Sequence, residues 1–563
     1  MLIFPNPSVE TEYTDPNGVD WIFDGTGWVK QCECPECPEC PECPDCGGSL
    51  DPNDFYWAST TLLLDGDTGP NGANNNYFKD SSANNHTITT TGNVAQGSFS
   101  PYGDENLASD ITTDGGSAYF DGQGAYLSVP ASSNYTFGTA DFTIEAWIFN
   151  NSPDSFGVWQ NCGFQGVADS KDYWFGVNRH RELAFNRHGV GSPSFSSFSG
   201  AVNDNEWTHI AVTRTSSVMT LWVNGTSVAT STDPGLTAFN IFQQETHTVG
   251  FVVTPQYANG YLSNLRVIKG TALYVSNFTP PTAPLEVVAN TSLLLNFQDA
   301  GIYDRTGKNN LMTVGNAQID TTEKKYGTGS MKFGGSGDYL KGRVTPSVDF
   351  GSGDWTVESW INLSAINKFN NIVSFGRDQA SGLSFDLSDS NRLRVMGQID
   401  GSWTVVAQGA TGLSADTWYH VAFVRNGSSF KIYLDGIEDG SGTNSGSITD
   451  PTSDADSALR VGYWYILAGT FRYFSGYIDD LRVTKGVARY TSDFTPPPML
   501  LPNTKALLAE REKQMALTRG EVIDETPDPK YIPYTPTEMP DPIVEIDASA
   551  NDIDFSNDVT TEE

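Results

Sequence analysis

Positive charge is scarce in this 563-residue chain: 32 Lys and Arg stand against 68 Asp and Glu, a formal net charge of −36. A field of that sign repels phosphate backbones and argues against nucleic acid as a partner. Long apolar runs are absent as well. No stretch approaches the ~20 apolar residues of a membrane helix, so no membrane anchor is expected. The opening residues, Met1 to Ser8, carry neither a basic n-region nor an apolar h-region, and the expectation is a chain made in a cytosol without a secretory leader. Cysteine is almost missing from the bulk of the chain. Six of the seven lie between Cys32 and Cys46, and Cys162 stands alone. The rest is expected to fold without internal disulfides, as suits a reducing compartment. No phosphate loop, HExxH or dinucleotide fingerprint occurs.

What is present is a long internal repeat. Asp141-Phe-Thr-Ile-Glu-Ala-Trp147-Ile148 returns as Asp354-Trp-Thr-Val-Glu-Ser-Trp360-Ile361. Trp207 to Arg214 returns as Trp418 to Arg425, and Gly260 to Gly270 as Gly476 to Gly486. Both copies close alike, on Phe278-Thr-Pro-Pro281 and Phe494-Thr-Pro-Pro497. Both also open alike, with Ser59-Thr-Thr-Leu-Leu-Leu64 and Asn290-Thr-Ser-Leu-Leu-Leu295. The order of blocks is the same throughout, which places one module at about 57–287 and a second at about 288–500. Within the blocks, residues alternate with a period of two and are bulky on both sides, as in strands covered on both faces. Asn224-Gly225 and Asp435-Gly436 are two-residue hairpin signals. No useful helical period appears in either module. The expected fold class is all-β: two tandem antiparallel sandwiches, or jelly rolls, with a small N-terminal β element and an extended acidic C-terminal tail.

The set formed by Phe142–Ile148, Trp207–Arg214, Leu221–Gly225, Gly260–Gly270 and Phe278–Pro281 resembles the laminin-G-like, concanavalin A-like jelly-roll domains. The closing block from Leu481 to Pro497 is similar to the version found in bacteriophage virion proteins. The resemblance covers about four fifths of the chain. It implies carbohydrate recognition, with calcium at loop rims. Asp121, Asp338, Asp479 and Asp480 are the rim candidates for a metal, although spacing alone makes no ligand set of them.

The ends differ from the modules. Residues 1–31 read as a small β-meander around Asn17-Gly18, too short to own a core, and are expected to attach or oligomerise the chain. Their pattern is similar to short units of phage tail and fibre proteins. Residues 32–56 form a neck. Cys34, Cys37, Cys40, Cys43 and Cys46 recur every third residue with proline between them, and Cys32 precedes them. Proline at that period favours polyproline II, where successive cysteines lie ~9 Å apart along one stripe. A disulfide needs Cα atoms ~4.4–6.8 Å apart, so neighbours cannot pair with each other. Cross-links between parallel copies, a zinc site of paired Cys-x-x-Cys knuckles, and a stiff linker with idle thiols all stay open. Zinc is the weaker alternative to cross-linking, because so little chain separates the knuckles. Residues 501–520 read as a short helix capped by Asn503-Thr504, and 521–563 as an acidic, Pro-rich tail.

Catalysis finds little support. A jelly-roll glycanase needs two carboxylates flanking the scissile bond, whereas Glu145 and Glu358 are each alone on their strand. Both are expected to be structural, paired with Arg266 and Arg482 of the repeated Leu-Arg-Val. His209 and His420 repeat without a Ser or Cys partner and are read the same way. The expected function is therefore not an enzyme's. It is a structural protein of a phage virion, a tail fibre, spike or head fibre, displaying two jelly rolls for adhesion to a host-surface glycan. Its partners would be other virion proteins and further copies of itself, as a trimer. The alternatives are a decoration protein that binds capsid or tail subunits and no sugar, and a secreted glycan-active protein.

Overall fold

The computed structural model describes residues 59–497, apart from 104–107, 152–154, 162–172, 188–193, 239–245, 254–255, 344, 377–380, 450, 452–457 and 467–469, together with three N-terminal strands. Those three, Glu12–Thr14, Asp20–Phe23 and Trp28–Lys30, pair in sequence order as an antiparallel meander. The cysteine repeat, the helix expected at 501–520 and the acidic tail lie outside the described residues.

The regular structure of the described residues in 59–497 is nearly all strand, joined by turns and loops; the helical segments among them are single turns such as Ile111–Asp114 and Pro234–Thr237. Two hydrophobic cores result. The first gathers Phe142, Ile144, Ala146 and Ile148 from one side of the Phe142–Asn150 strand, all fully buried, against Phe156, Trp159, Phe175 and Phe185 of the facing sheet. The second gathers Trp355, Val357 and Ile361 against Phe375, Phe385 and Val395. The hairpin signals hold. Asn224 and Gly225 have φ of 46° and 74°, Asp435 and Gly436 of 50° and 82°. Two successive positive φ angles make the tight turn that matches strand twist. Asn and Asp tolerate that region; other residues with a Cβ rarely do.

The opening strands do not stay in their own repeats. Thr60–Leu64 would belong to the module at 57–287 by sequence order. Instead it pairs antiparallel with Ser475–Lys485, the last strand of the second sandwich, with Leu62 opposite Val483 and Leu64 opposite Leu481. Leu62 and Leu64 are buried in the second core. Thr291–Leu295, expected to open the module at 288–500, pairs with Asn259–Lys269 and buries Leu293 and Leu295 in the first core. The repeats have thus exchanged their first strands. The reason lies in the sequence itself: the two Leu-Leu-Leu segments are near-identical, so either fits either slot. The connections that follow decide the matter by crossing between sandwiches. Each exchanged strand is clasped by the loop of the other repeat. Asp304 Oδ1 accepts from Leu63 N at 2.9 Å, and Asn309 Nδ2 donates to Thr61 O at 2.7 Å. Asp80 Oδ1 accepts from Leu294 N at 3.1 Å, and Asn84 Nδ2 donates to Ser292 O at 2.9 Å. Arg305 adds an ion pair to Asp65 at 2.9 Å.

A second link joins the sandwiches edge to edge. Ala95–Gly97, at the rim of the first, meets Leu311–Val314 of the second through the pair Gln96 and Leu311. One sheet therefore continues from the first sandwich into the second.

Candidate functional site

Glu145 and Glu358 sit on the outward side of their strands, yet both are buried. The structure brings each to its arginine. Arg266 Nε and Nη2 donate to Glu145 Oε1 at 2.9 and 2.7 Å, and Arg482 does the same to Glu358 at the same distances. The other carboxylate oxygen accepts from Tyr274 at 2.6 Å in one copy and from Tyr490 at 2.7 Å in the other. His209 and His420 complete the sets at 3.2 and 3.3 Å. Burial pushes the Glu145 carboxyl up, but the His209 hydrogen bond and the Arg266 charge outweigh it and hold the group below the usual range. At Glu358 burial is likewise overcome, by Arg482 and then His420. The closing segments form the lid: Tyr274 stacks on Phe278 at 3.6 Å and Tyr490 on Phe494 at 3.5 Å. Phe278 N donates to Gly225 O and Phe494 N to Gly436 O, so each Phe-Thr-Pro-Pro segment is docked against its hairpin turn. These two networks fasten the outer layer of each sandwich and offer no open site.

The rim aspartates are not brought together. Asp338 is buried and accepts from Asn316 N at 2.8 Å and Gly334 N at 3.0 Å. Asp479 accepts from Lys325 N and Tyr326 N, and burial pushes its carboxyl up to about 6 against those amides. Asp480 occupies a bulge with φ of 49°, as Asn264 does in the first sandwich with φ of 54°. Asp121 alone lies on a surface groove, where it accepts from Asn93 Nδ2 at 3.1 Å and Gln123 N at 2.8 Å. Four carboxylates so placed do not fit a shared calcium ion, which needs 6–8 convergent oxygens. Among the described residues no group of three or more His, Cys, Asp or Glu is placed to hold a metal.

The groove beside Asp121 is the site that sequence reasoning missed. It lies where the two sandwiches meet and consists of adjoining cavities of about 710, 360 and 270 Å³. Its floor is aromatic. Strand alternation turns Phe149, Trp207, Tyr261 and Tyr119 outward on neighbouring strands of the first sandwich, and Phe99 caps them at 4.7–5.2 Å from Tyr261, Phe149 and Trp207. Tyr119 and Tyr261 are 5.0 Å apart. The second sandwich supplies the opposite wall with Asn310, Lys308, Lys341, Arg343 and Pro346. Asn310 Nδ2 donates to Tyr261 Oη at 2.9 Å, which leaves that hydroxyl its proton to donate. Burial pushes the Tyr261 hydroxyl up to about 12, so it stays neutral. Trp207 Nε1 and Asn310 Oδ1 are buried polar atoms with no hydrogen-bond partner among the described residues. A buried polar atom without a partner calls for an explanation; the indoles of Trp147, Trp355, Trp360 and Trp464 are also unpartnered, but of the five only that of Trp207 lines the groove. Aromatic faces with a few fixed donors and acceptors, at an interface between folded units, are the make-up of a small-ligand site. A signal for it was present in the repeat: Phe149 aligns with Asn362 and Tyr119 with Lys332. Two outward aromatics thus belong to one copy only.

The fold and its repeated blocks define a protein of tandem lectin-like jelly rolls. The chain belongs to the concanavalin A-like lectin/glucanases superfamily, whose laminin-G model matches residues 121–273 and 334–489, more than half of its length. No curated protein matches it in sequence. Among solved structures, the mouse laminin α1 chain domains LG4-5 are 11% identical, covering 76% of this chain and 97% of that one at a TM-score of 0.26. Domain 4 of an extracellular arabinanase from Geobacillus stearothermophilus, in complex with arabinotriose, is 18% identical, covering 33% and 87% at 0.25. The CBM40 of the Ruminococcus gnavus IT-sialidase, bound to α2,3 sialyllactose, is 13% identical, covering 25% and 78% at 0.22.

Proposed function

We propose that the chain is a glycan-binding structural protein of a bacteriophage virion, displayed on the particle exterior, and that the groove between its sandwiches is where the sugar binds. The observation that carries the binding reading is the aromatic floor beside Trp207 Nε1 and Asn310 Oδ1. A pyranose has an apolar C–H face that lies on an aromatic ring, and hydroxyls at its edge that need donors and acceptors. The virion reading is supported by the closing block from Leu481 to Pro497 and by the amino-terminal meander, both similar to phage appendage sequences. Its net charge of −36 suits a solvent-facing display role. The reading is of a binder and not of a hydrolase, since the two repeated glutamates are engaged under their lids.

A glycan array probed with the full chain and with Trp207→Ala tests this. Selective binding by the parent, weakened at least about tenfold in the variant, is expected for an aromatic anchor at the centre of a site. Absence of binding by the parent on any glycan would turn the reading to a decoration protein that contacts other virion subunits. Assembly through residues 1–49, as a trimer, is tested by mass measurement of the full chain beside a truncation that begins at residue 50.

A further inference from the structure

We propose that the groove is the inner end of a longer track, and that its ligand is an acidic polysaccharide laid across both sandwiches. This rests on the glycan reading above and adds the charge and extent of the ligand.

The track follows one strand, Tyr339–Arg343. Leu340 and Gly342 face the second core and are buried, so Tyr339, Lys341 and Arg343 share the outer face. At ~3.4 Å per residue they span about 14 Å. Arg343 reaches the groove, where its Nη1 donates to the Tyr119 hydroxyl at 2.6 Å. Lys341 lies directly opposite Arg460 of the neighbouring strand. Like charges facing each other across a strand pair cost stability. Neither Lys341 nor Arg343 forms an ion pair among the described residues, although acids outnumber bases two to one in this chain. Asp121, the one carboxylate lining the groove among the described residues, is held by Asn93 and the Gln123 amide. In the first sandwich the positions of Lys341 and Arg460 are filled by Ser128 and Thr248, paired in the same register and neutral. The cations therefore belong to this copy and not to the fold. An anionic ligand supplies the charge that Lys341 and Arg343 lack.

Beyond Lys341 the face turns aromatic again. Tyr339 stacks on Tyr463 at 4.5 Å and 24°, and Tyr463 packs on Tyr473 at 4.9 Å. These rings come from a two-stranded hairpin whose register sets Tyr463 opposite Tyr473 and Tyr465 opposite Phe471. Phe471, at the outer end, is 49% exposed. Order along the face is thus aromatic groove, cations, aromatic ladder. Sugar faces can lie on the rings at both ends while acidic groups between them meet Lys341 and Arg343. A neutral chain would leave the middle unused, and a single sugar would leave one end unused.

The test uses the full chain and matched polymers: polygalacturonate, alginate and hyaluronan beside their carboxyl-reduced forms, and dextran sulfate beside dextran. We expect acidic members to bind, with affinity falling as salt rises, and their neutral partners to bind at least tenfold less. Lys341→Gln with Arg343→Gln should weaken binding by about tenfold or more, as loss of charge-assisted hydrogen bonds does. Phe471→Ala should weaken long polymers and leave short oligosaccharides unchanged. Carboxylated and sulfated ligands are separated by which pair shows the difference. Equal binding of acidic and neutral partners, both lost in Trp207→Ala, overturns the acidic track and keeps the groove. Binding of no glycan, or binding that Trp207→Ala leaves intact, overturns the groove reading itself.

Discussion

Trp207 and Trp418 hold the same place in the two sandwiches, yet only one of them opens on a groove. In the second sandwich the surrounding face is closed by its own loop. Trp418 Nε1 donates to Glu323 Oε1 at 2.8 Å, Asn362 donates to the same oxygen at 3.1 Å, and Lys332 pairs with Asp320 at 2.7 Å. In the first sandwich Phe149 and Tyr119 replace Asn362 and Lys332, and Trp207 Nε1 has no hydrogen-bond partner among the described residues. The comparison separates what the fold requires from what a function adds. The buried Glu–Arg–His–Tyr sets recur with almost unchanged distances, so they belong to the fold. Among the described residues the aromatic floor, with an unpartnered indole lining it, is found in the first sandwich and not at the matching place in the second, so it needs another reason.

That comparison can be broken most severely at the exchanged strands. Replacing Leu62 and Leu64 by alanine should cost about 2–5 kcal/mol per leucine and unfold the second sandwich first. The same change at Leu293 and Leu295 should act on the first. Hydrogen exchange read by mass spectrometry assigns each loss to a sandwich; protection lost in the first sandwich on mutating Leu62 would mean the strands are not exchanged. The exchange also means that a cut at 285–292 should leave fragments held together, since each carries a strand of the other's core.

Glu145→Gln and Glu358→Gln should each destabilise their own sandwich by about 3–5 kcal/mol, because an arginine is left buried without its counter-charge. Equal losses in thermal unfolding would support a shared structural role; glycan binding should survive both. Next in size, Trp207→Ala should weaken glycan binding by about 1.4 kcal/mol or more, a factor of ten, whereas Trp418→Ala should leave it unchanged. Loss of binding in both variants would erase the functional difference between the copies.

A further difference, felt only above acidic pH, concerns Asp479, which the first sandwich replaces with Ser263. Its carboxyl titrates near 6 in the folded chain against 3.8 as its ordinary value. A raised carboxyl pKa means that the buried acid costs nothing while protonated and costs progressively more as pH rises from about 4 through 6. Asp479→Asn should therefore match the parent near pH 4 and exceed it by about 1–3 kcal/mol at pH 7. Urea unfolding at the two pH values, followed on the second sandwich, checks this; a variant equally destabilised at both would show that the amide contacts need the carboxylate itself.

Much of this was legible along the chain. Alternation in Phe142–Asn150 and Trp355–Leu363, the Asn-Gly and Asp-Gly turns, and the repeated Glu and Leu-Arg-Val blocks determine two antiparallel sandwiches and point to the Glu145–Arg266 and Glu358–Arg482 contacts. These features are local, or repeat in order, so strand period and turn geometry suffice to read them. The partners of Thr60–Leu64 and Thr291–Leu295 were decided only in three dimensions, because two near-identical strands satisfy either sheet edge and nothing local tells them apart. The groove was decided there as well. Phe99, Phe149, Trp207 and Tyr261 are far apart in sequence, and Asn310 and Arg343 come from the other repeat. A site made where two folded units meet depends on how they are joined, and here the crossing strands and the Gln96–Leu311 pair set that junction.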